Sequence, residues 1–308
     1  MFKTVLDFYR HGAVAAVVSA ALVTTGCADL TLTPEFAQME SSLKARGHLR
    51  TEKSPRDAPF DATDLERNFR DLAFAYELHF KDGRMVNEQL AKPLKRWSGT
   101  IRYKLVGDGV VEEDADVLAA LTVRLSSLTG LTFAPAADEH DLLISIATPR
   151  GRAEVSMLLD YMGQAEYRRR YDLWRQSFGW ICGAVMSESD QNTGQLVYAH
   201  VFLRDELRGD MRRACLHEEV AQALGLTNDS NYARPSIFND DQEFALLTRH
   251  DEILLSVLYD DRLAPGMQKD DAMPIVRRII EGQTTPLPAT TQTEESAADA
   301  LIRLLSAP

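Results

Sequence analysis

Five oxygen-bearing side chains lie close together in the stretch CLHEEVAQALGLTND, residues 215–229. They are Glu218, Glu219, Gln222, Asn228 and Asp229. Residues four apart on a helix share one face, so a helix would bring Glu218 and Gln222 together. A carboxylate whose pKa is raised by burial can act as a general base, while amides orient a substrate by hydrogen bonds. These five residues form the candidate site, with Glu219 as the candidate catalytic base. A helix and its C-terminal turn with a purely structural role is the alternative.

The donor atoms limit the metals that such a site could hold. Carboxylate and amide oxygens favour Ca²⁺, Mg²⁺ or Mn²⁺ over Zn²⁺. One carboxylate and two amides would bind such an ion weakly, so a weakly held divalent cation and a metal-free site both stay open, and zinc is not expected. Four histidines elsewhere could supply a ligand, although each is more typical of a surface or core residue. They are His140, His200, His217 and His250.

The spacing in this stretch resembles the zinc-binding helix of the metzincin metalloproteases. In those enzymes two histidines lie four residues apart with a glutamate after the first, and a glycine turn leads to a third histidine. The corresponding positions here are Glu218, Glu219, Gln222, Gly225 and Asn228. The spacing is kept, whereas all three histidines are replaced.

Two later segments also resemble the metzincin pattern. SIFND at 236–240 is similar to the tight turn beneath the metal, with Phe238 in place of its methionine, and LTRHDEILLSVLYDDRL at 247–263 is similar to the last helix. The resemblance covers residues 95–263. It implies an α+β, metzincin-like core: a twisted mixed sheet with an active-site helix and a C-terminal helix. It also implies a pseudoprotease, that is, a protease scaffold without its zinc ligands.

More narrowly, the chain resembles an uncharacterised bacterial family of exported proteins of unknown function. The similarity lies in the pattern E-E-x-x-Q-x-L-G-L-x-N-D at 218–229, in Cys215 just before it, and in the L-T-x-x-D and L-Y-D segments that begin at Leu247 and Leu258. The resemblance implies that the missing histidines are a property of the family. It implies no reaction.

The amino terminus predicts export. Residues 1–26 have a basic start and an apolar run too short to span a bilayer comfortably, as in a signal peptide. The small residues before Cys27 resemble the bacterial lipobox, in which the cysteine carries lipid. A plain secretory signal is the alternative. Ala28 fits outer-membrane retention, so we expect a lipid-anchored protein that faces the periplasm.

The other two cysteines, Cys182 and Cys215, would then lie in an oxidising compartment. A disulfide between them is the simplest use of the pair, and two buried free thiols are the alternative. In the chain-entropy model, closing a loop of this length stabilises a fold by roughly 3.5–4 kcal/mol.

The net charge of the chain limits the classes of partner that it can bind. The chain has 34 Lys and Arg against 46 Asp and Glu, a formal net charge of −12. This balance argues against a nucleic-acid surface and predicts no attraction to anionic membranes. The one basic and aromatic stretch, residues 161–180, predicts a solvated helix that covers an aromatic stripe, with a polyanion-binding face as the alternative.

Composition also divides the chain. Prolines and the lack of periodicity predict a flexible tether over 27–63, followed by one α+β domain over 64–268 and a helical extension with a Thr/Pro-rich linker over 269–308. The domain begins with an N-terminal helix, for which the apolar stripe is Leu65, Phe69, Leu72 and Tyr76.

Together these features predict a cell-envelope lipoprotein. Its degenerate protease-like cleft would bind a peptide or a cell-wall component without zinc catalysis. The main alternative is an active hydrolase that uses Glu219 as its base, with an unusual metal or none. A passive structural lipoprotein is the third possibility. The sequence leaves open whether the protein is an enzyme.

Overall fold

A computed structural model describes most of the chain. The described residues are 34–76, 79–81, 84–86, 90–161, 163, 165–177, 180–189, 193–239 and 241–284. The predicted signal peptide, Cys27 and the Thr/Pro-rich linker lie outside these residues. Among the described residues, no helix has the length and apolar character needed to cross a membrane.

The described chain begins with two helices and a narrow hairpin arm. These elements are α1 (Pro34–Ala45), α2 (Ala62–Ala73), β1 (Ala75–Tyr76), β2 (His79–Lys81), β3 (Arg84–Val86) and β4 (Leu90–Ala91). β1 pairs with β4, and β2 with β3, both antiparallel. The predicted stripe of α2 reaches Tyr76, but the helix ends at Ala73, whose carbonyl accepts a hydrogen bond from Lys92 Nζ at 2.7 Å. A distant lysine therefore helps to end this helix.

Residues 34–61 pack on the domain, which corrects the expectation of a flexible tether there. Helix α1 buries Phe36 and Leu43, and the segment after it buries Leu49. The amide of Leu49 donates to the carbonyl of Gln242 at 3.0 Å. The residues that contact this segment lie far away in the sequence, so local periodicity does not reveal its packing.

The main sheet has five strands. They are β5 (Thr100–Val106), β6 (Thr132–Pro135), β7 (Leu142–Ala147), β8 (Cys182–Glu188) and β9 (Leu196–Arg204). Their order is β6–β5–β7–β9–β8; the first four are parallel, and β8 is an edge strand antiparallel to β9. Strand β7 is buried along its whole length, as expected for a central parallel strand covered on both faces.

Six further helices lie in the described part of the chain. They are α3 (Glu112–Thr129), α4 (Pro149–Tyr161), α5 (Ala165–Gln176), α6 (Gly209–Gln222), α7 (Arg249–Leu258) and α8 (Lys269–Thr284). Helices α3 and α6 pack on the first face of the sheet, with α7, α2 and α8 behind them, and α4 and α5 cover the second face. The α+β class is as predicted. Helix α8 buries Val276, Ile279 and Ile280 in the main core, so residues 269–284 belong to the domain rather than to a separate extension.

A buried polar chain joins α5 to the second face of the sheet. His200 Nε2 bonds Ser145 Oγ at 2.7 Å, and His200 Nδ1 bonds the hydroxyl of Tyr167. Burial lowers the pKa of His200 to about 3. The ring is therefore neutral, and one nitrogen donates while the other accepts, which satisfies both in the core.

We expect His200 to make the fold sensitive to acid. Its pKa in the folded state lies below the ordinary value near 6.5, so its contribution is complete above pH 6.5 and is lost as the pH falls, by about 1.4 kcal/mol per unit. His200→Gln cannot titrate. Urea unfolding at pH 7.5, 5.5 and 4.5 should show the stability difference between the two proteins shrinking by roughly 3 kcal/mol in total, that is, about 1.4 kcal/mol per unit below pH 6.5. A difference that is constant across this range would contradict the assignment.

Candidate functional site

Helix α6 lies along the edge strand β8, and contacts at both ends of the strand fix their relative position. Cys215 forms a disulfide with Cys182, the first residue of β8, with 5.9 Å between the Cα atoms, which confirms the predicted pair. Glu188, the last residue of β8, forms an ion pair with Lys95 at 2.5 Å. The carbonyl of Lys95 packs against Gly225, just past the end of α6. Helix and strand therefore run side by side in the same direction.

The candidate residues of α6 lie on the arc that carries the disulfide. At about 100° per residue, Glu218 and Gln222 lie within about 60° of Cys215 on one side, and Glu219 lies about 40° away on the other. Because Cys215 is bonded to β8, this arc is directed at the edge of the sheet. Glu219 and Gln222 are buried, and Glu218 is half-buried.

The loop after α6 brings a carboxylate back to the helix. Gln222 Nε2 donates to Asp229 Oδ1 at 2.9 Å, so these two predicted site residues are in contact. Asn228 lies beside them, but its Nδ2 donates to the carbonyl of Asp71 at 2.9 Å and to that of Asp229 at 2.8 Å. One N–H group of Asn228 thus holds the loop on α2 and the other bonds within the loop, so a ligand contact by this residue would fall to its oxygen.

Gly225 makes this return of the chain possible. Its φ is +127°, and a Cβ atom here would lie 2.1 Å from the carbonyl oxygen of Lys95. Only glycine fits such a position. The segment that contains Lys95 is held at the same place by further bonds: Lys92 Nζ donates to the Gly225 carbonyl at 3.3 Å, and Trp97 Nε1 donates to the Ala223 carbonyl at 2.8 Å.

Two lysines next to the candidate site are buried, which the sequence does not indicate. Lys92 and Lys95 are each 5% exposed. Lys95 Nζ lies 4.7 Å from the centre of the Tyr76 ring. Burial, together with the nearby Lys95 charge, lowers the pKa of Lys92 well below its ordinary value. The local sequence AKPLKRW does not distinguish these residues from surface lysines, because the segments that bury them are distant in the chain.

The turn at 236–239 is joined to α7 by the carboxylate of Asp251. It accepts hydrogen bonds from the Ser236 hydroxyl at 2.5 Å, the Ile237 amide at 3.2 Å, and the amide and hydroxyl of Thr248, both at 2.9 Å. Asp251 is fully buried. Four donors offset the loss of water around the charge, so this carboxylate fixes the turn to the start of the helix.

The histidines considered as ligands are used elsewhere. His217 accepts a hydrogen bond from the Leu247 amide at 3.4 Å, and burial lowers its pKa to about 4. His250 bonds Asn68 at 2.9 Å in the core. His140 forms a hydrogen bond with the carbonyl of Asp138, and His200 forms one with the hydroxyl of Ser145. Within the described part of the chain, no three His, Cys, Asp or Glu side chains are grouped so as to hold a metal ion.

The sequence matches a family model described as a protein of unknown function, DUF2927, over residues 62–278. This range covers most of the chain, from α2 into α8, and includes the whole main sheet and the candidate site. The chain therefore belongs to the DUF2927 family, in agreement with the expectation of a family without an assigned function. No curated protein matches the sequence.

We expect Gly225→Ala to destabilise the fold by about 3 kcal/mol or more, because the methyl group collides with a backbone carbonyl and the φ angle disfavours alanine. Gly282→Ala is the control, because a Cβ atom there meets nothing within 4 Å. As an exposed helical position, it should gain about 0.5–1 kcal/mol. Urea unfolding of both variants tests this, and equal stabilities would contradict the role of Gly225.

Proposed function

We propose that the protein is an exported, lipid-anchored component of the cell envelope that faces the periplasm. In this proposal it binds an extended peptide, free or as part of a cell-wall component, in the groove between α6 and the edge of β8. Zinc takes no part. The observation that supports this most strongly is the fixation of α6 alongside an edge strand, which puts the candidate residues next to that edge.

The edge strand provides the first element of recognition. Strand β8 pairs with β9 and with no other strand among the described residues. An edge strand can accept a further strand, whose main chain supplies affinity while its side chains enter neighbouring pockets. A peptide added to β8 would run past Glu218 and Gln222, which lie on the adjoining arc of α6.

The second element is charge. Glu218, Glu219 and Asp229 make this side of the helix acidic. Carboxylates form strong, charge-assisted hydrogen bonds with amines. The contact between Gln222 and Asp229 fixes one of these carboxylates in place. We infer a ligand with free amino groups, such as a lysine-containing peptide or a cell-wall stem peptide.

The metzincin-like interpretation supports the same location. A mixed sheet with one antiparallel edge strand, a helix beside that edge and a glycine where the chain leaves the helix agree with the resemblance. So does the bond between Ser236 and Asp251, which ties the turn to the last helix of the pattern. The replaced histidines argue for binding rather than zinc-dependent hydrolysis.

The binding proposal predicts that Glu218→Gln combined with Asp229→Asn weakens binding of a lysine-containing peptide by about tenfold or more, because two charge-assisted bonds are lost. Glu112→Gln with Glu113→Gln removes the same charge from exposed positions of α3 and should change nothing. Titration calorimetry with the peptide, its lysine-acetylated form and a disaccharide–tetrapeptide fragment of peptidoglycan measures this. Hydrogen exchange should show protection of β8 amides. Unchanged binding by the double variant would exclude this groove.

A hydrolase is the second candidate, favoured by the burial of Glu219, which is 6% exposed. A buried carboxylate beside amide groups suits a general base. If the protein cleaves peptides or peptidoglycan, Glu219→Gln should lower kcat by about a hundredfold or more. A wild-type protein without turnover excludes this candidate. Stoichiometric zinc in protein purified without chelator would contradict the binding proposal instead.

A further inference from the structure

Helices α4 and α5 form an antiparallel hairpin on the second face of the sheet, away from α6. Ser156 donates to Asp172 at 2.6 Å, and Arg168 pairs with Asp160 at 2.6 Å. The inner side of the hairpin is buried through residues that include Leu159, Tyr171 and Trp174. These contacts fix which side chains face outward.

The outer side of the hairpin carries an apolar patch. Met157 is 64% exposed, Tyr161 90% and Leu173 40%. Met157 and Tyr161 are one turn apart on α4, and the contact between residues 156 and 172 puts Leu173 next to them. Arg169 lies one turn from Leu173, is exposed, and forms no ion pair with a described residue. We call these four residues the hairpin patch.

The charge of the hairpin differs in sign from that of the whole chain. Residues 149–177 contain six arginines against four acidic residues, a net charge of +2, whereas the chain has −12, which leaves −14 for the remainder. Because Arg152 is buried and paired with Glu206, the hairpin presents a net charge of +1 at its surface. Basic helices with exposed apolar and aromatic side chains are typical of surfaces that lie on anionic lipid. The overall charge therefore conceals one region suited to a membrane.

The hairpin also begins at the end of the domain where α1 begins. Phe36 and Glu206 line one small cavity, and Glu206 pairs with Arg152 of α4 at 2.6 Å. Met157 lies about 8 Å farther along that helix. Helix α1 starts seven residues after Cys27, a distance of about 25 Å at full extension. A bilayer that holds lipid on Cys27 is thus within reach of the hairpin.

We propose that the hairpin patch docks on the surface of a lipid bilayer with anionic headgroups. The three apolar side chains enter the headgroup region, and Arg169 pairs with a lipid phosphate. The argument from the distance between Cys27 and the hairpin rests on the lipid anchor of the proposed function. The exposure and the charge of the patch are independent of that anchor. Docking would hold the second face against the membrane and direct the α6 groove away from it.

The test uses the mature chain, residues 27–308, with Cys27→Ser, so that it carries neither the apolar signal peptide nor lipid. Tyr161→Cys is labelled with an environment-sensitive dye and mixed with phosphatidylglycerol-containing or purely zwitterionic vesicles. We expect the emission to increase and shift to the blue with the anionic vesicles alone. A label at Tyr232, which is 69% exposed and lies outside the patch, should not respond.

Charge reversal gives a second measurement. Arg169→Glu should weaken the response of the Tyr161 label to anionic vesicles by about tenfold or more. Arg278→Glu, an exposed position on α8, makes the same charge change outside the patch and should have no effect. Circular dichroism confirms that each variant is folded.

Three results would overturn the proposal: no response at Tyr161, an equal response at Tyr232, or an Arg169→Glu variant that behaves like the parent. The patch could instead be occupied by a second copy of the chain, and light scattering tests for such a dimer. A dimer that Met157→Asp with Leu173→Asp converts to a monomer would assign the patch to self-association. Since the assay contains neither a peptide nor a lipidated cysteine, its failure would leave the proposed peptide groove unaffected.

Discussion

The close contact between Gly225 and the carbonyl of Lys95 sets the position of the whole candidate site. Without a side chain at 225, the segment before β5 can pack against the end of α6. That packing puts Lys95 within reach of Glu188 at the end of β8, and it turns the following loop so that Asp229 meets Gln222. One steric condition therefore couples the helix, the edge strand and the returning loop.

The same packing buries two lysines next to the candidate site. Lys95 is buried, yet it is paired with a carboxylate, and Lys92 is buried with its amine donating to two backbone carbonyls. An ammonium group that loses water without a charged partner is less stable in its charged form, which is why burial lowers the pKa of Lys92. These two basic residues thus act inside the scaffold.

The two faces of the sheet carry different chemistry. On the first face, the disulfide and an ion pair hold a helix with carboxylates and an amide against an edge strand. On the second face, a basic hairpin covers a small aromatic core, and a neutral histidine links it to the sheet. Alternation of residues along β9 makes this possible, because Val201 and Leu203 enter the main core while His200 and Phe202 face the hairpin.

Several features could be predicted from the sequence because they depend on neighbours in the chain. The apolar spacing of α3, the glycine at 130 that ends it, and the helix over the aromatic stripe of Tyr171 and Trp174 all follow local periodicity. The proximity of Gln222 and Asp229 follows from helix spacing and a glycine turn. Pairing of Cys182 with Cys215 follows from counting the cysteines that remain if Cys27 carries lipid, as the sequence predicts.

Other features were decided only by the tertiary structure. Burial of α1, the early end of α2 and the burial of Lys92 each depend on a partner far away in the sequence. The same holds for Asn228, whose amide is used by α2 rather than by the candidate site. Periodicity and motif spacing report which residues share a face, because local geometry fixes that. What covers the face, and which polar groups are already satisfied there, is set by contacts between distant segments, which no local pattern contains.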